Sequence, residues 1–101
     1  MTSLTNTQKR LYVLISKNLS PVYGCVQGGH AVAQYLLEHP KQNWNNQYLI
    51  YLYANVDSWK QKLDMFGLDY SSFREPDLDN ALTALAVEDD GKMFKNLKLV
   101  E

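Results

Sequence analysis

Residues 23–30 (YGCVQGGH) combine three glycines with a cysteine, a glutamine and a histidine. On a helix, Gln27 and His30 are one turn apart and reach the same region. Glycines at a helix start can also form a backbone nest for an anion. The spacing matches neither a P-loop nor GxGxxG, so close packing on a sheet is favoured over anion binding for Gly28 and Gly29. Cys25 has no partnered base in the sequence and is expected to be buried and inert.

A second group of chemically capable residues occupies positions 74–80 (REPDLDN). Glu75, Asp77 and Asp79 could bind a cation or supply a base, although the spacing is not that of an EF-hand. A solvated turn with Asx-type caps explains the segment equally well. Thr83 follows at the start of a strand, near the same edge. His30 is likewise open to two interpretations, a site residue or a histidine on the sheet surface.

Four strands and two helices must position these residues. Apolar runs rich in β-forming residues predict strands at 11–16, 48–54, 68–74 and 82–87. The first helix is predicted over about 22–37, ended by His39-Pro40, and the second over about 55–66, followed by Gly67. Residues spaced for one helical face predict which side of the first helix is buried: Val26, His30, Ala33 and Leu37. Residues 92–97 are predicted to form a short terminal helix.

This order predicts an α/β fold: a small mixed four-stranded sheet (β-α-β-α-β-β) with helices packed on its faces. The β-α-β crossovers are expected to be right-handed and to give parallel neighbours. The last two strands follow each other after a short turn, which favours an antiparallel pair.

Length and composition favour one domain. The chain has 101 residues, of which 46% are hydrophobic, and a formal net charge of -1. We expect a leader over residues 1–9 and a single domain over 10–101. The single cysteine excludes an internal disulfide, and no signal peptide is visible, so a cytoplasmic location is expected. The near-neutral charge does not by itself indicate nucleic-acid binding.

The order of the segments resembles the peptidyl-tRNA hydrolase 2 family over roughly residues 10–100. The resemblance is carried by the LYVLIS strand, the helix bearing QGGHAVA, the YLIYLY strand, the helix starting VDSW, and LTALAV after the acidic turn. It implies that Gln27, His30 and Thr83 match family site residues and that Glu75 replaces the family aspartate. The turn after Glu75 is about four residues shorter than in the family, and Tyr23 occupies the position of its lysine.

The resemblance implies hydrolysis of the ester bond of peptidyl-tRNA. Glu75, His30, Gln27 and Thr83 are the expected catalytic residues. The candidate substrate-binding residues are Tyr23, Gly28, Gly29 and Asp77. Tyrosine brings no positive charge, and loss of one electrostatic donor costs about 10²–10³ in rate.

Alternatives stay open. One is a catalytically altered relative that binds a small molecule, nucleotide or protein partner in the same cleft. Another is a hydrolase or transferase for a different substrate, with Glu75 or His30 as base. The expected partners are accordingly tRNA or peptidyl-tRNA, or else a small ligand or protein, with a homodimer as a further expectation. No cofactor, metal or membrane is implied.

Overall fold

The apolar runs of the sequence form strands, and the segments between them form helices. The structure is a computed structural model that describes residues 10–101, so the predicted leader over residues 1–9 lies outside the described residues. The elements are β1 (Arg10–Ser16), α1 (Pro21–Glu38), β2 (Tyr48–Ala54), α2 (Val56–Met65), β3 (Tyr70–Glu75) and β4 (Ala81–Asp89). Single 3₁₀ turns occupy Pro76–Leu78 and Lys92–Phe94.

The four strands form one mixed sheet in the order β2-β1-β4-β3. β1 and β2 are parallel, and β4 is antiparallel to both of its neighbours. The predicted mixed sheet and the antiparallel last pair are therefore confirmed. The expectation of parallel neighbours fails for the second crossover, because β2 and β3 lie at opposite edges. β4 takes the central position since residues 82–87 are all buried, whereas β3 is half-exposed along most of its length.

The helices cover opposite faces of this sheet. α1 packs on β1, β3 and β4, and α2 packs on β4 and β1. The core under α2 is built mainly from large side chains such as Leu14, Leu85 and Phe94. Under α1, β4 presents the small residues Ala84 and Ala86. Small residues on both sides of the contact allow α1 to lie close to the sheet, which matters for the polar side chains at that contact.

The buried face of α1 is not the one that the apolar spacing predicts. Val26 and Leu37 are 51% and 78% exposed, and His30 and Ala33 are exposed as well. The side facing the sheet is made of small and polar residues with one aromatic ring: Gly24, Gln27, Gly28, Ala31 and Tyr35. The reason is steric, because the underlying strands leave little space beneath the helix.

The distances from the glycines of α1 to the side chains of the sheet show how little space lies beneath the helix. A Cβ added at Gly24 would lie 2.8 Å from Ile15 Cγ2, and one added at Gly28 would lie 2.5 Å from Tyr51 Cε2 and 3.1 Å from Val13 Cγ1. A Cβ at Gly29 would meet nothing within 4 Å. Valine at these inner glycine positions is thus excluded, and the branched apolar residues Val22, Val26 and Leu37 are exposed.

We expect Gly28→Ala and Gly29→Ala to change stability in opposite directions. Replacing a helical glycine by alanine gains about 1 kcal/mol, and Gly29→Ala should realise this gain. At Gly28 the new methyl group overpacks against Tyr51 and Val13, which costs about 1–3 kcal/mol and outweighs the gain. Urea unfolding at low micromolar protein concentration measures both. Equal stabilisation by the two substitutions would contradict the packing explanation.

Helix starts are fixed by side-chain caps. Ser20 Oγ accepts a hydrogen bond from the Tyr23 N–H at 3.3 Å, with proline in the first turn. Asn55 Oδ1 caps α2 by accepting from the Ser58 N–H at 3.1 Å. Because α1 begins at Pro21, Gly28 lies inside the helix and not at its N-terminus. Its N–H is directed to a backbone carbonyl of the preceding turn, which leaves no nest for an anion there.

The C-terminal segment differs from its prediction. The predicted helix over residues 92–97 is reduced to the 3₁₀ turn Lys92–Phe94, and the chain then runs along the outer edge of β2. The Tyr53 N–H donates to Lys98 O at 2.9 Å, and the Val100 N–H donates to Tyr51 O at 3.1 Å. These bonds cover part of an edge strand whose backbone groups would otherwise be unpaired. Within residues 10–101, neither helix has the length and apolar character needed to cross a membrane.

Candidate functional site

A buried glutamine joins α1 to the two last strands. Gln27 is 0% exposed. Its Nε2 donates to Glu75 Oε1 at 2.7 Å, and its Oε1 accepts from the Thr83 hydroxyl at 2.7 Å. Because a carboxylate only accepts hydrogen bonds, the amide nitrogen must face Glu75. Three side chains far apart in the sequence thus form one connected chain of hydrogen bonds.

A β-bulge positions Thr83. In the β3–β4 pairing, Phe73 lies opposite Ala84 and Arg74 lies opposite Leu82, so Thr83 has no partner on β3. Strict alternation would place Thr83 and Ala84 on opposite faces, but an extra residue in one strand changes the direction of its side chain. The bulge therefore directs the Thr83 hydroxyl toward Gln27. The hydroxyl also lies 3.3 Å from Phe73 O.

Glu75, the last residue of β3, is held by two donors. Besides Gln27 on Oε1, the Asp77 N–H donates to Oε2 at 3.1 Å. The hydrogen bond from Gln27, that from the Asp77 N–H and the nearby charge of His30 hold the pKa of Glu75 below its ordinary value. Because its pKa is lowered, the Glu75 carboxyl group is ionised at neutral pH. The side chain is half-buried.

Tyr23 and His30 complete the accessible rim of this cluster. Burial, followed by the negative charges of Glu75 and Asp77, raises the pKa of Tyr23, so its phenol stays protonated and can donate a hydrogen bond. The His30 ring is exposed and stacks on Phe73, with ring centroids 4.5 Å apart and planes 11° apart. A ligand can therefore reach Tyr23, His30 and Glu75.

The predicted residues divide into three groups. Gln27 and Thr83, at 0% and 2% exposure, are positioning residues because they touch no solvent. The accessible groups are Tyr23, His30 and Glu75, to which Asp77 contributes its N–H. Gly28 and Gly29 are not part of the cluster: Gly28 packs on Tyr51 and Val13, and Gly29 points outward.

Two features were not expected from the sequence. Phe73 supports the His30 ring, and its position two residues before Glu75 on the same strand was a usable signal, since such residues share a face. Cys25 is exposed, so the expectation of a buried cysteine was wrong. Cys25 is exposed because α1 buries the face that carries Gly24, Gln27 and Gly28, so Cys25 points away from the sheet.

A cavity of about 670 Å³ adjoins the cluster at Thr83. It lies where β1 and β2 end, and the start of α2 lines it together with Lys17 and Arg74. Arg74 Nη1 donates to Asn80 O at 3.3 Å, which fixes its position. Asp57 and Asp79 line the same cavity, so two carboxylates balance the charges of Lys17 and Arg74 there. Among residues 10–101 no group of three or more His, Cys, Asp or Glu residues could hold a metal ion.

Gln27→Leu is expected to raise the pKa of Glu75, because it removes the largest cause of the downward shift. A carboxylate with a lowered pKa stabilises the folded state above its ordinary pKa of 4.5, and this contribution is lost as pH falls through the folded value. In the variant the folded and unfolded pKa values of Glu75 lie closer together, so less stability is lost on acidification. Carbon-13 NMR titration of the Glu75 carboxyl group measures the shift.

Gln34→Leu is the matched control for this titration. Gln34 Nε2 donates to Glu38 Oε2 at 2.6 Å on the exposed side of α1, so its removal should leave the Glu75 titration unchanged. An unaltered Glu75 pKa in Gln27→Leu would contradict the hydrogen-bond explanation.

Comparison with known proteins supports the architecture. No family model matches the chain, and no curated protein was found to be similar to it. A solved structure of a protein of unknown function, Atu0240 from Agrobacterium tumefaciens strain C58, has a TM-score of 0.66 at 11% identity. The structural alignment covers 91% of this chain and 97% of the Atu0240 chain. At this identity the likeness concerns the fold alone, a small α/β domain with a four-stranded mixed sheet.

Proposed function

We propose that this chain is a peptidyl-tRNA hydrolase-like protein whose cleft acts on the ester bond of peptidyl-tRNA. The observation that carries the proposal is the 2.7 Å hydrogen bond from Gln27 Nε2 to Glu75 Oε1, with Thr83 bound behind it. It holds an ionised carboxylate at a rim that also carries Tyr23 and His30. The proposal also rests on the order of these residues along the chain, which resembles that of the peptidyl-tRNA hydrolase 2 family.

The chemistry requires a positioned water and a donor for the oxyanion. The Glu75 carboxylate accepts a hydrogen bond from water and orients it toward the ester carbonyl. Its low pKa makes it a weak base, so its main effect is orientation. The neutral Tyr23 phenol donates to the carbonyl oxygen as negative charge develops there. Water adds to the carbonyl carbon, and the bond from that carbon to the ribose oxygen then breaks. The proton lost by the water passes through Glu75 or His30 to the departing ribose oxygen.

Lys17 and Arg74 would bind the RNA backbone. Both line the cavity that adjoins the cluster, and cationic side chains supply most of the affinity in phosphate recognition. With only two such groups, the salt dependence of binding should be shallow. The expected slope of log affinity against log salt is about −0.7 for each contacted phosphate of a single strand.

A second candidate function is binding without turnover. One observation favours it: the position expected to hold a lysine is occupied by Tyr23, whose phenol is kept neutral by burial and by two carboxylates. In that case the rim formed by Tyr23, His30 and Glu75 holds a small molecule, a nucleotide or a protein partner without cleaving it.

Hydrolysis of labelled peptidyl-tRNA by the purified protein separates the two functions. Wild type should exceed the uncatalysed rate, and Glu75→Gln should fall to background because a neutral amide no longer orients water as an ionised acceptor. Glu38→Gln, which alters a carboxylate bonded to Ser71 and Gln34, is the matched control and should keep the wild-type rate. A wild-type rate equal to background would overturn the hydrolase proposal and support binding without turnover.

A further inference from the structure

The outward face of α1 is mainly apolar, with His30 as an exposed polar residue near its midpoint. Val22 and Leu37, near the two ends, are 79% and 78% exposed, and the helix carries one carboxylate, Glu38, and neither lysine nor arginine. Solvent-facing sides of surface helices are ordinarily charged or polar. An 18-residue helix with the reverse arrangement leaves an apolar surface without a partner in this chain's described residues.

This surface continues beyond the helix. Val22, Cys25 and Val26 line a shallow depression with Val100, and Val100 in turn adjoins Leu49 and Leu99 beside β2. The exposed apolar area is on the order of 500 Å², within the range where a patch on a monomer is often functional. A stable dimer buries about 800 Å² per partner. The helix face and the adjoining β2 edge together approach that requirement.

The residues of the face are placed symmetrically about the helix midpoint. α1 runs from Pro21 to Glu38, so its midpoint falls between Gly29 and His30. Val22 and Leu37 are equidistant from it, and so are Val26 and Ala33. An antiparallel copy packed across a twofold axis would place valine against leucine at each end. Gly29, with free space around its Cβ position, would allow close approach at the centre.

We propose that the chain forms a twofold-symmetric homodimer through antiparallel packing of α1 against α1 of a second copy. A symmetric interface uses the same patch on both subunits and must be self-complementary, which the equidistant pairs provide. Glu38 lies off this face and is bonded to Ser71 and Gln34, and the carboxylate of Glu101 lines the depression beside Val22 at one end of the face. An anionic membrane is disfavoured as the occupant, since no basic residue of α1 flanks the face.

Charge substitutions at the paired ends test this arrangement. Analytical ultracentrifugation should show a wild-type dimer with a dissociation constant of tens of micromolar. Val22→Glu and Leu37→Lys should each raise that constant by about tenfold or more. The double variant should regain the dimer at low salt and lose it at high salt, because each new carboxylate faces an ammonium group of the other copy.

These substitutions leave the folded monomer intact. A negative charge near a helix start and a positive charge near a helix end both favour the helix. Met65→Glu, at an 81% exposed apolar position of α2, is the matched control and should not change the mass. A wild-type monomer at several hundred micromolar, or single variants with unchanged association, would overturn the proposal.

Disulfide trapping tests the helix direction. In antiparallel packing, two Cys25 residues are about 13 Å apart along the helix axis, too far for a disulfide. Gly29→Cys in a Cys25→Ser background should cross-link across the axis under oxidation, and wild type should not. Cross-linking through Cys25, with none at position 29, would indicate another packing and overturn the antiparallel arrangement.

Discussion

Tyr23→Lys is expected to raise the rate of peptidyl-tRNA hydrolysis by about 10²-fold, the size of one electrostatic donor in a catalytic site. The charges of Glu75 and Asp77 already act on the Tyr23 phenol, so an ammonium group there would lie close to both carboxylates. From this position it can stabilise the oxyanion, which a neutral phenol does only by a single hydrogen bond. Single-turnover kinetics with labelled substrate measures the change in the chemical step.

Two controls separate charge from shape in this experiment. Tyr23→Met has an unbranched side chain without charge and should show no gain. Gln34→Lys adds the same charge on the exposed side of α1, away from the cluster, and tests whether better tRNA association alone explains a higher rate. If Tyr23→Lys binds tRNA but gains no hydrolysis, the cleft lacks more than a cation and the binding-only function is favoured.

Thr83→Val is expected to lower the free energy of unfolding by about 1–3 kcal/mol, the cost of leaving a buried polar group without its partner. Valine has nearly the shape of threonine, but Gln27 Oε1 then loses its donor in a site with no access to water. The double variant Gln27→Leu/Thr83→Val removes both partners. It should lose less stability than the sum of the single variants, because no orphaned acceptor remains.

A double-mutant cycle by urea unfolding measures this coupling. Residues in one hydrogen-bond network show coupling energies of about 0.5–3 kcal/mol. Gln34→Leu, which breaks an exposed glutamine–carboxylate bond, should stay within about 0.5 kcal/mol of wild type. Additive losses for Gln27 and Thr83 would mean that the two side chains act independently, which their 2.7 Å contact argues against.

Four residues that the sequence analysis singled out lie near one another in the structure. Gln27 bonds to Glu75 and Thr83, and His30 lies close enough to Glu75 for its charge to act on that carboxylate. The roles that the geometry supports are different for different members. Gln27 and Thr83 are sealed from solvent, so they hold Glu75 in place, and only the accessible groups can meet a ligand. Burial of a polar side chain depends on its tertiary neighbours and has no local sequence signal.

The sequence by itself determined the strands, the helices and the mixed sheet, because periodicity, caps and chain breakers act over a few residues. The tertiary structure alone decided which face of α1 is buried. The outward valines and leucines fit the apolar pattern better than Gly24, Gln27 and Gly28 do. The narrow space between α1 and the side chains of β1 and β2 admits only the latter, since a Cβ at Gly28 would overlap Tyr51. Steric fit between distant segments therefore overrides the local hydrophobic pattern. It creates the polar cluster and leaves an apolar face of α1 that no other part of residues 10–101 covers.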